Sequence, residues 1–503
     1  MIPAHRGSRS LFSLLALALA LSPAAGEGAD SARNRKPNVV LILTDNQGAW
    51  TLGCYGNPEI RTPQIDRLAS QGMRFTRAFS PNGVCSPTRA SLLTGLLPSQ
   101  HGVHSYLGAN EAQVGQGAYC TIGEFRSLPE ILAESGYACG LSGKWHLGAN
   151  EAPQEGFTSW VTMPHGHTTT FHGAEVIDEG KIRKEPGYLT DFWTDRAVRF
   201  LEENRERPFF LYLAYNGPYN LGPTLSQPGR NRHAEEYADQ MLLSFPRDGV
   251  HPWLFNNKAF LNNIVSMRRV ATETSGVDDG VGTILGALNR LDLAEETIVI
   301  YMADQGWVGG QNGLWGMSDH TRPLSAFDGM MHIPLIVRYP GRIKPGSTSD
   351  ALVSGYDVMP SLLSLLGLKD RIDPSTKPPG RDFSPILQGQ DQSGSPWDDV
   401  VYFENENVRA IRTSSWKYVH RFPDGPFELY NLEKDPGEKV NLHGQLGQET
   451  IRDELKDRLF TYFRTHANPR YDLYAGGGSK THLLTQPKAQ RILPQASSAT
   501  PLK

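Results

Sequence analysis

Val39 to Leu43 is a continuous apolar, β-branched run, which predicts a strand buried on both faces, as in a parallel sheet. It stops abruptly at the polar turn Thr44-Asp45-Asn46-Gln47-Gly48. Phe209 to Ala214, Thr297 to Ala303 and Ile333 to Arg338 repeat the pattern, and the Thr297 to Ala303 run ends in Asp304-Gln305-Gly306. Between them, amphipathic spacing predicts helices over Pro63 to Gln71, Leu128 to Ser135, Thr190 to Asn204 and Val277 to Leu291. Strands alternating with helices imply an α/β fold whose sheet is covered on both faces. Ligands in such sheets sit at the carboxyl ends of strands, which is where Asp45 and Asp304 fall.

The texture changes near Pro374. Pro378-Pro379-Gly380 and the stretch from Gln388 to Pro396 read as a linker. Short strands over Val408 to Thr413, Trp416 to Phe422 and Phe427 to Leu432 then precede a helix over Glu449 to Thr465. The expected organisation is a main domain over 36–385, a small α+β unit over 398–468 and a disordered tail over 475–503.

At the other end, Arg6 and Arg9 precede an apolar run from Leu11 to Leu21 and the small residues Ala24-Ala25-Gly26. This is the pattern of an export signal over 1–26, which places the mature chain in a secreted or periplasmic setting. The run is too short for a membrane span, and no later segment is long and apolar enough. The net charge of −4 is dispersed over 503 residues, which disfavours a nucleic-acid partner. Four cysteines are too few for a disulfide scaffold. If Cys85 is consumed chemically, at most one bridge forms, with Cys120 and Cys139 as one pairing.

The most informative segment is Cys85-Ser86-Pro87-Thr88-Arg89, followed by Ala90-Ser91-Leu92-Leu93-Thr94-Gly95. Pro87 suits the first turn of a helix running towards Leu93. Cys85 then lies at the helix N-terminus, where free N–H groups favour an anion, with Arg89 one turn on. A plain buried cysteine is the ordinary alternative. At every fixed position, however, the segment resembles the signature of the formylglycine-dependent sulfatases of the alkaline phosphatase-like superfamily. The resemblance runs from about Lys36 to Leu442. It implies a mostly parallel sheet sandwiched by helices, a smaller C-terminal α+β domain, and Cys85 oxidised to formylglycine by a maturation enzyme.

Asp45, Asn46, Asp304 and Gln305 offer an oxygen-rich cage suited to a hard cation, although each Asp alone reads as a turn residue. With Cys85 they resemble the family's metal site, which implies one Ca²⁺ per chain. Many relatives carry Asp-Asp at the first position and Asn or His at the last, so Asn46 and Gln305 leave fewer negative charges. Gly140-Leu141-Ser142-Gly143-Lys144-Trp145-His146-Leu147-Gly148 is nearly identical to the second family signature. On an extended chain, Lys144 and His146 would point to the same side. The resemblance gives Lys144 a sulfate contact and sets His146 on the formylglycine hydroxyl.

Two departures stand out. Relatives commonly have Pro-His where this chain has Pro218-Tyr219, and a Lys where Met317 stands. His320 is either a replacement for a lost function or an ordinary surface-loop histidine. The catalytic set implied is Cys85, Arg89, Lys144, His146 and His320, with Ca²⁺ held by Asp45, Asn46, residue 85, Asp304 and Gln305. The implied substrate is a sulfated small molecule or polysaccharide, and hydrophilic loops over Gly166 to Thr170 and Tyr219 to His233 suit a bulky one. A phosphodiester or phosphonate monoester hydrolase on the same fold is one rival. A non-catalytic protein that binds sulfated glycans is the other.

Overall fold

The structure is a computed structural model. It describes residues 36–109, 111–168, 170–218, 222–390, 397–485 and 490–492, together with Met1. The export signal over 1–26, Tyr219 and part of the expected linker lie outside the described residues. Residues Pro37–Lys503 form one compact unit.

Its centre is a nine-stranded sheet built from β1 (Asn38–Thr44), β2 (Met73–Phe79), β3 (Ala138–Gly143), β4 (Ser159–Val161), β5 (Phe209–Ala214), β6 (Thr297–Ala303), β7 (His332–Arg338), β8 (Ser347–Ser349) and β9 (Val353–Ser354). The order is β8-β2-β7-β6-β1-β5-β3-β4, with β9 also on β2. β1 runs parallel to both β5 and β6, with Leu41 opposite Tyr212 and Ile300. All seven residues of β1 are buried, which explains the unbroken apolar run: helices cover both faces of the sheet. Leu41 sits in one core cluster and Ile42 in the other, so Leu41→Ala would cost about 2–5 kcal/mol.

β7 is antiparallel to both β2 and β6, and its register slips between Ile333 and Leu335, at Pro334. A proline cannot donate to the ladder, so the bulge falls where the donor is missing. β2 and β3 have no uniform apolar run: MRFTRAF is amphipathic and ACGLSG is small-residue rich.

Helix α1 (Cys85–Thr94) ends at Gly95, whose φ of 70° is the left-handed conformation that glycine adopts without strain. The longer α2 (Ile264–Arg290) begins thirteen residues before the expected start. Asn263 caps it by accepting from Val265 N and Ser266 N. Its first half buries Thr272, Glu273, Thr274 and Ser275, and buried polar groups hide an amphipathic pattern. Glu273 forms an ion pair with Arg269 at 2.7 Å and accepts from the Tyr188 hydroxyl at 2.6 Å.

A second, antiparallel sheet runs β10 (Val400–Asn405), β11 (Val408–Thr413), β12 (Trp416–Arg421) and β13 (Glu428–Asn431), packed by α3 (Glu449–His466). β10 braces the segment that leads into Cys85: Glu404 N donates to Pro81 O at 2.9 Å, and Ser99 N donates to Glu404 Oε2 at 2.7 Å.

The expectation of a disordered tail fails over 475–485. Lys480 is fully buried, donating from Nζ to Thr121 O at 2.6 Å and pairing with Glu124, while its N–H bonds Gly102 O at 2.8 Å. Ser105 N donates to Thr481 Oγ1 at 3.0 Å. This segment is anchored by buried polar bonds rather than apolar mass, so composition misreads it. All four cysteines are free thiols; Cys120 faces Glu155 at 3.4 Å and Cys139 faces Pro129 O at 3.5 Å, so neither bridges the other.

Candidate active site

Four strand ends meet at one point. Asp304 N donates to Thr44 O at 3.0 Å and Lys144 N to Ala214 O at 2.8 Å, which ties the exits of β1, β3, β5 and β6 together. Asp45, Asn46, Lys144, Asp304 and Gln305 emerge side by side, and α1 aims Cys85 at them.

Every one of these side chains is buried. Cys85 Sγ lies 3.6 Å from Asp45 Oδ1 and 3.2 Å from Gln305 Nε2. Arg89 reaches Asp304 Oδ2 through Nε at 3.0 Å and Nη2 at 2.8 Å, and its Nη1 donates to Lys144 O at 2.6 Å. Lys144 Nζ pairs with Asp45 Oδ2. Two cations therefore balance two carboxylates in a space without water screening. A bound divalent cation would leave the site doubly positive, which suits an anionic ester.

Burial, reinforced by the charge on Asp45, pushes the Cys85 thiol up to about 12. It is protonated at neutral pH, so as cysteine it is a poor nucleophile. Burial also lifts the Asp304 carboxyl to about 6, with Asp45 adding to the effect and Arg89 opposing it. Burial alone would lower the Lys144 ammonium, but Asp45 outweighs it and the pKa is raised.

Asp45, Cys85 and Asp304 each place a ligand atom within 4.8 Å of the others. Gln305 Nε2 presses on Asn46 Oδ1; turning that amide over lets its nitrogen donate to Asp304 Oδ1 at 2.8 Å and directs its oxygen to Asn46 Oδ1. Two amide oxygens converging beside two carboxylates form a donor set that fits a hard cation such as Ca²⁺.

Lys144 and His146 are not on an extended segment. β3 ends at Gly143, and His146 has a φ of 61°, so strand alternation does not align them. The turn instead sends His146 to the Leu107 carbonyl, 2.9 Å from Nε2. A carbonyl only accepts, so Nε2 carries the hydrogen and Nδ1 keeps its lone pair; Nδ1 is buried and has no partner among the described residues. Burial, then Lys144, holds this imidazole well below 6.5, so it is neutral. Gly166 packs on its ring so closely that a Cβ there would stand 1.6 Å from Cδ2, and only glycine fits.

A cavity of about 330 Å³ opens onto Cys85 and His146. His320 lines it too, buried, with Nδ1 2.8 Å from Asp319 Oδ1, and so is not a surface-loop residue. Tyr106, His167, Asn256, Asn257 and Asp319 share this wall and were not singled out from sequence. His165-Gly166-His167 was the legible signal, since two histidines around an obligate glycine are unusual for a plain loop.

The sulfatase family profile matches residues 37–368, about two thirds of the chain. The chain belongs to the sulfatase family. It is accordingly an enzyme of the sulfuric ester hydrolase class. A second profile, the C-terminal region of N-sulphoglucosamine sulphohydrolase, matches residues 315–465. Human arylsulfatase A is 30% identical to this sulfatase over 502 aligned positions, covering 87% of each chain. An N-acetylglucosamine-6-O-sulfatase of Bacteroides thetaiotaomicron is 25% identical and covers 89% of each. Among solved structures, one in complex with its substrate D-glucosamine-2-N,6-O-disulfate shares the fold at TM-score 0.69 and 22% identity, covering 86% of this chain and 98% of that one. The phosphonate monoester hydrolase of Agrobacterium radiobacter shares it at TM-score 0.62 and 23% identity, covering 86% and 96%. Among the described residues no helix is long and apolar enough to cross a membrane.

Proposed function

We propose that this sulfatase is exported and removes sulfate from carbohydrates, using Cys85 converted to formylglycine and a Ca²⁺ held by Asp45, Asn46, residue 85, Asp304 and Gln305. The observation that carries this reading is the convergence of the Cys85 thiol with two carboxylates, two amides and two buried cations. An unmodified thiol held near 12 has little use there, whereas a hydrated aldehyde offers one hydroxyl for attack on sulfur and a second for releasing sulfate.

The metal would supply charge neutralisation at the sulfate oxygens. The chain's own residues supply the rest. Arg89 and Lys144 pair with the two carboxylates and add positive charge where the ester gains negative charge. His146 Nδ1, fixed as the lone-pair nitrogen by the Leu107 carbonyl, accepts the proton from the residue-85 hydroxyl. His320 stands across the cavity as a donor to the leaving sugar oxygen. A carbohydrate substrate is supported by the relative named for N-acetylglucosamine 6-O-sulfate and by the complex with a sulfated glucosamine.

Peptide mass spectrometry of active protein should show residue 85 as formylglycine, and Cys85→Ala should abolish desulfation. Fully active enzyme with only unmodified cysteine would falsify the reading. Faster turnover of a phenylphosphonate ester than of any sulfate ester would assign the site to phosphonate chemistry.

A further inference from the structure

The outer wall of the cavity is made by two short segments, one carrying Asn256 and Asn257, the other Asp319 and His320. Backbone bonds lock them together: Phe255 N donates to His320 O at 2.9 Å and Arg322 N to Trp253 O at 2.8 Å, around a bridge pairing Leu254 with Thr321. Asn257 Nδ2 is shielded from solvent and has no acceptor among the described residues. A buried amide donor is costly unless something accepts from it, and here it stands in the lining of a substrate-sized cavity.

Just outside lies Phe255, 61% exposed, at a position where its backbone is pinned to His320. The Arg322 guanidinium sits 4.8 Å from the Phe255 ring centroid. Its Nη1 is tethered to the carbonyls of Asp319 at 2.8 Å and Thr321 at 2.7 Å. Among the described residues, no carboxylate pairs with it. A rigidly held, uncompensated cation beside an exposed aromatic ring matches one ligand chemistry well. The ring takes the C–H face of a sugar, and the guanidinium takes an anionic substituent.

We propose that Phe255 and Arg322 form a second sugar subsite, which binds the residue next to the sulfated one in a polyanionic glycan, while Asn257 fixes the sulfated sugar itself. The inference rests on the sulfatase reading and deepens it: the preferred substrate is an oligosaccharide whose neighbouring residue carries a carboxylate or a second sulfate.

The test measures kcat/KM on one sulfated hexosamine presented three ways: as the monosaccharide, linked to a neutral hexose, and linked to a uronate. 4-Nitrocatechol sulfate reports the chemistry independently. Wild type should prefer the uronate disaccharide to the monosaccharide by about tenfold or more, an effect of one cation and one stacked ring. Phe255→Ala should shrink the disaccharide-to-monosaccharide ratio for both disaccharides, and Arg322→Gln should shrink the uronate-to-neutral ratio. Phe255 is exposed, so its variant keeps the test alive if Arg322→Gln does not fold. Equal values on all three sugars, or ratios unchanged in Phe255→Ala, would overturn the subsite and leave the carbohydrate sulfatase reading standing, whereas turnover of the aryl ester alone would overturn the carbohydrate substrate with it. No turnover of the aryl ester or of any sugar would overturn that reading as well.

Discussion

Arg89 grips a single oxygen of Asp304, Oδ2, with two N–H groups, while Oδ1 of the same carboxylate accepts the backbone N–H groups of Asn46 and Gln305 at 3.1 and 2.8 Å. Asp45 is divided in the same way, with Oδ2 on Lys144 and Oδ1 towards Cys85. Each carboxylate thus has one oxygen held by a cation, while the other accepts backbone N–H groups in Asp304 and faces the Cys85 thiol in Asp45. Asp304→Ala would leave Arg89 buried with only the Asp45 carboxylate, 3.8 Å away, as counter-charge, at a cost of about 3–5 kcal/mol. Asp304→Asn keeps the shape and separates folding from metal binding. Saturating calcium should raise the Tm of wild type by mass action and leave that of Asp304→Asn nearly unchanged. Equal calcium shifts in the two proteins would refute the metal assignment.

Much of this was legible because the signals were local. β1, β5 and β6 announce themselves as unbroken apolar runs since both faces are covered, and Asp45 and Asp304 directly follow two of them. Cys85 was legible because Pro87 marks the helix start. β2 and β3 were not, because their burial depends on neighbours rather than on composition. Asn256 and Asn257 were invisible for a different reason. They reach the cavity on irregular loops whose path is fixed by long-range backbone bonds, such as Phe255 N to His320 O. The packed tail at Lys480 fails similarly, as its partners Gly102 and Thr121 lie far away in sequence.

One buried acid outside the cavity lining predicts a pH effect on stability. Burial pushes the Asp278 carboxyl up to about 7, although the N–H groups of Ile65 and Gln64 bond it at 2.8 and 3.0 Å. A carboxyl raised above its ordinary 3.8 holds its proton more tightly folded than unfolded. Its stabilising contribution is full below pH about 4 and is lost as pH rises through about 7. Asp278→Asn cannot titrate, so the Tm of wild type relative to the variant should fall between pH 5 and pH 8. A constant difference across that range would show that the acid is not perturbed.

The identity of the leaving-group acid turns on two histidines in one cavity. His167 lies 6.1 Å, ring to ring, from His146, and burial followed by the Lys144 charge pushes it below 6.5. Those influences disfavour the protonated form that an acid must start from. At His320, Nδ1 accepts the Met317 N–H at 3.4 Å and lies 2.8 Å from Asp319 Oδ1, which leaves Nε2 for a leaving oxygen. A sugar alkoxide needs that proton, while nitrophenolate largely does not. His320→Ala should therefore lower kcat on a sulfated sugar by about 10²–10⁴, the usual contribution of a general acid, and largely spare 4-nitrophenyl sulfate. His167→Ala should lower both substrates alike, through binding and the packing around His146. Equal losses in His320→Ala on the two substrates would make His320 a binding residue. A selective loss in His167→Ala would transfer the acid role to His167.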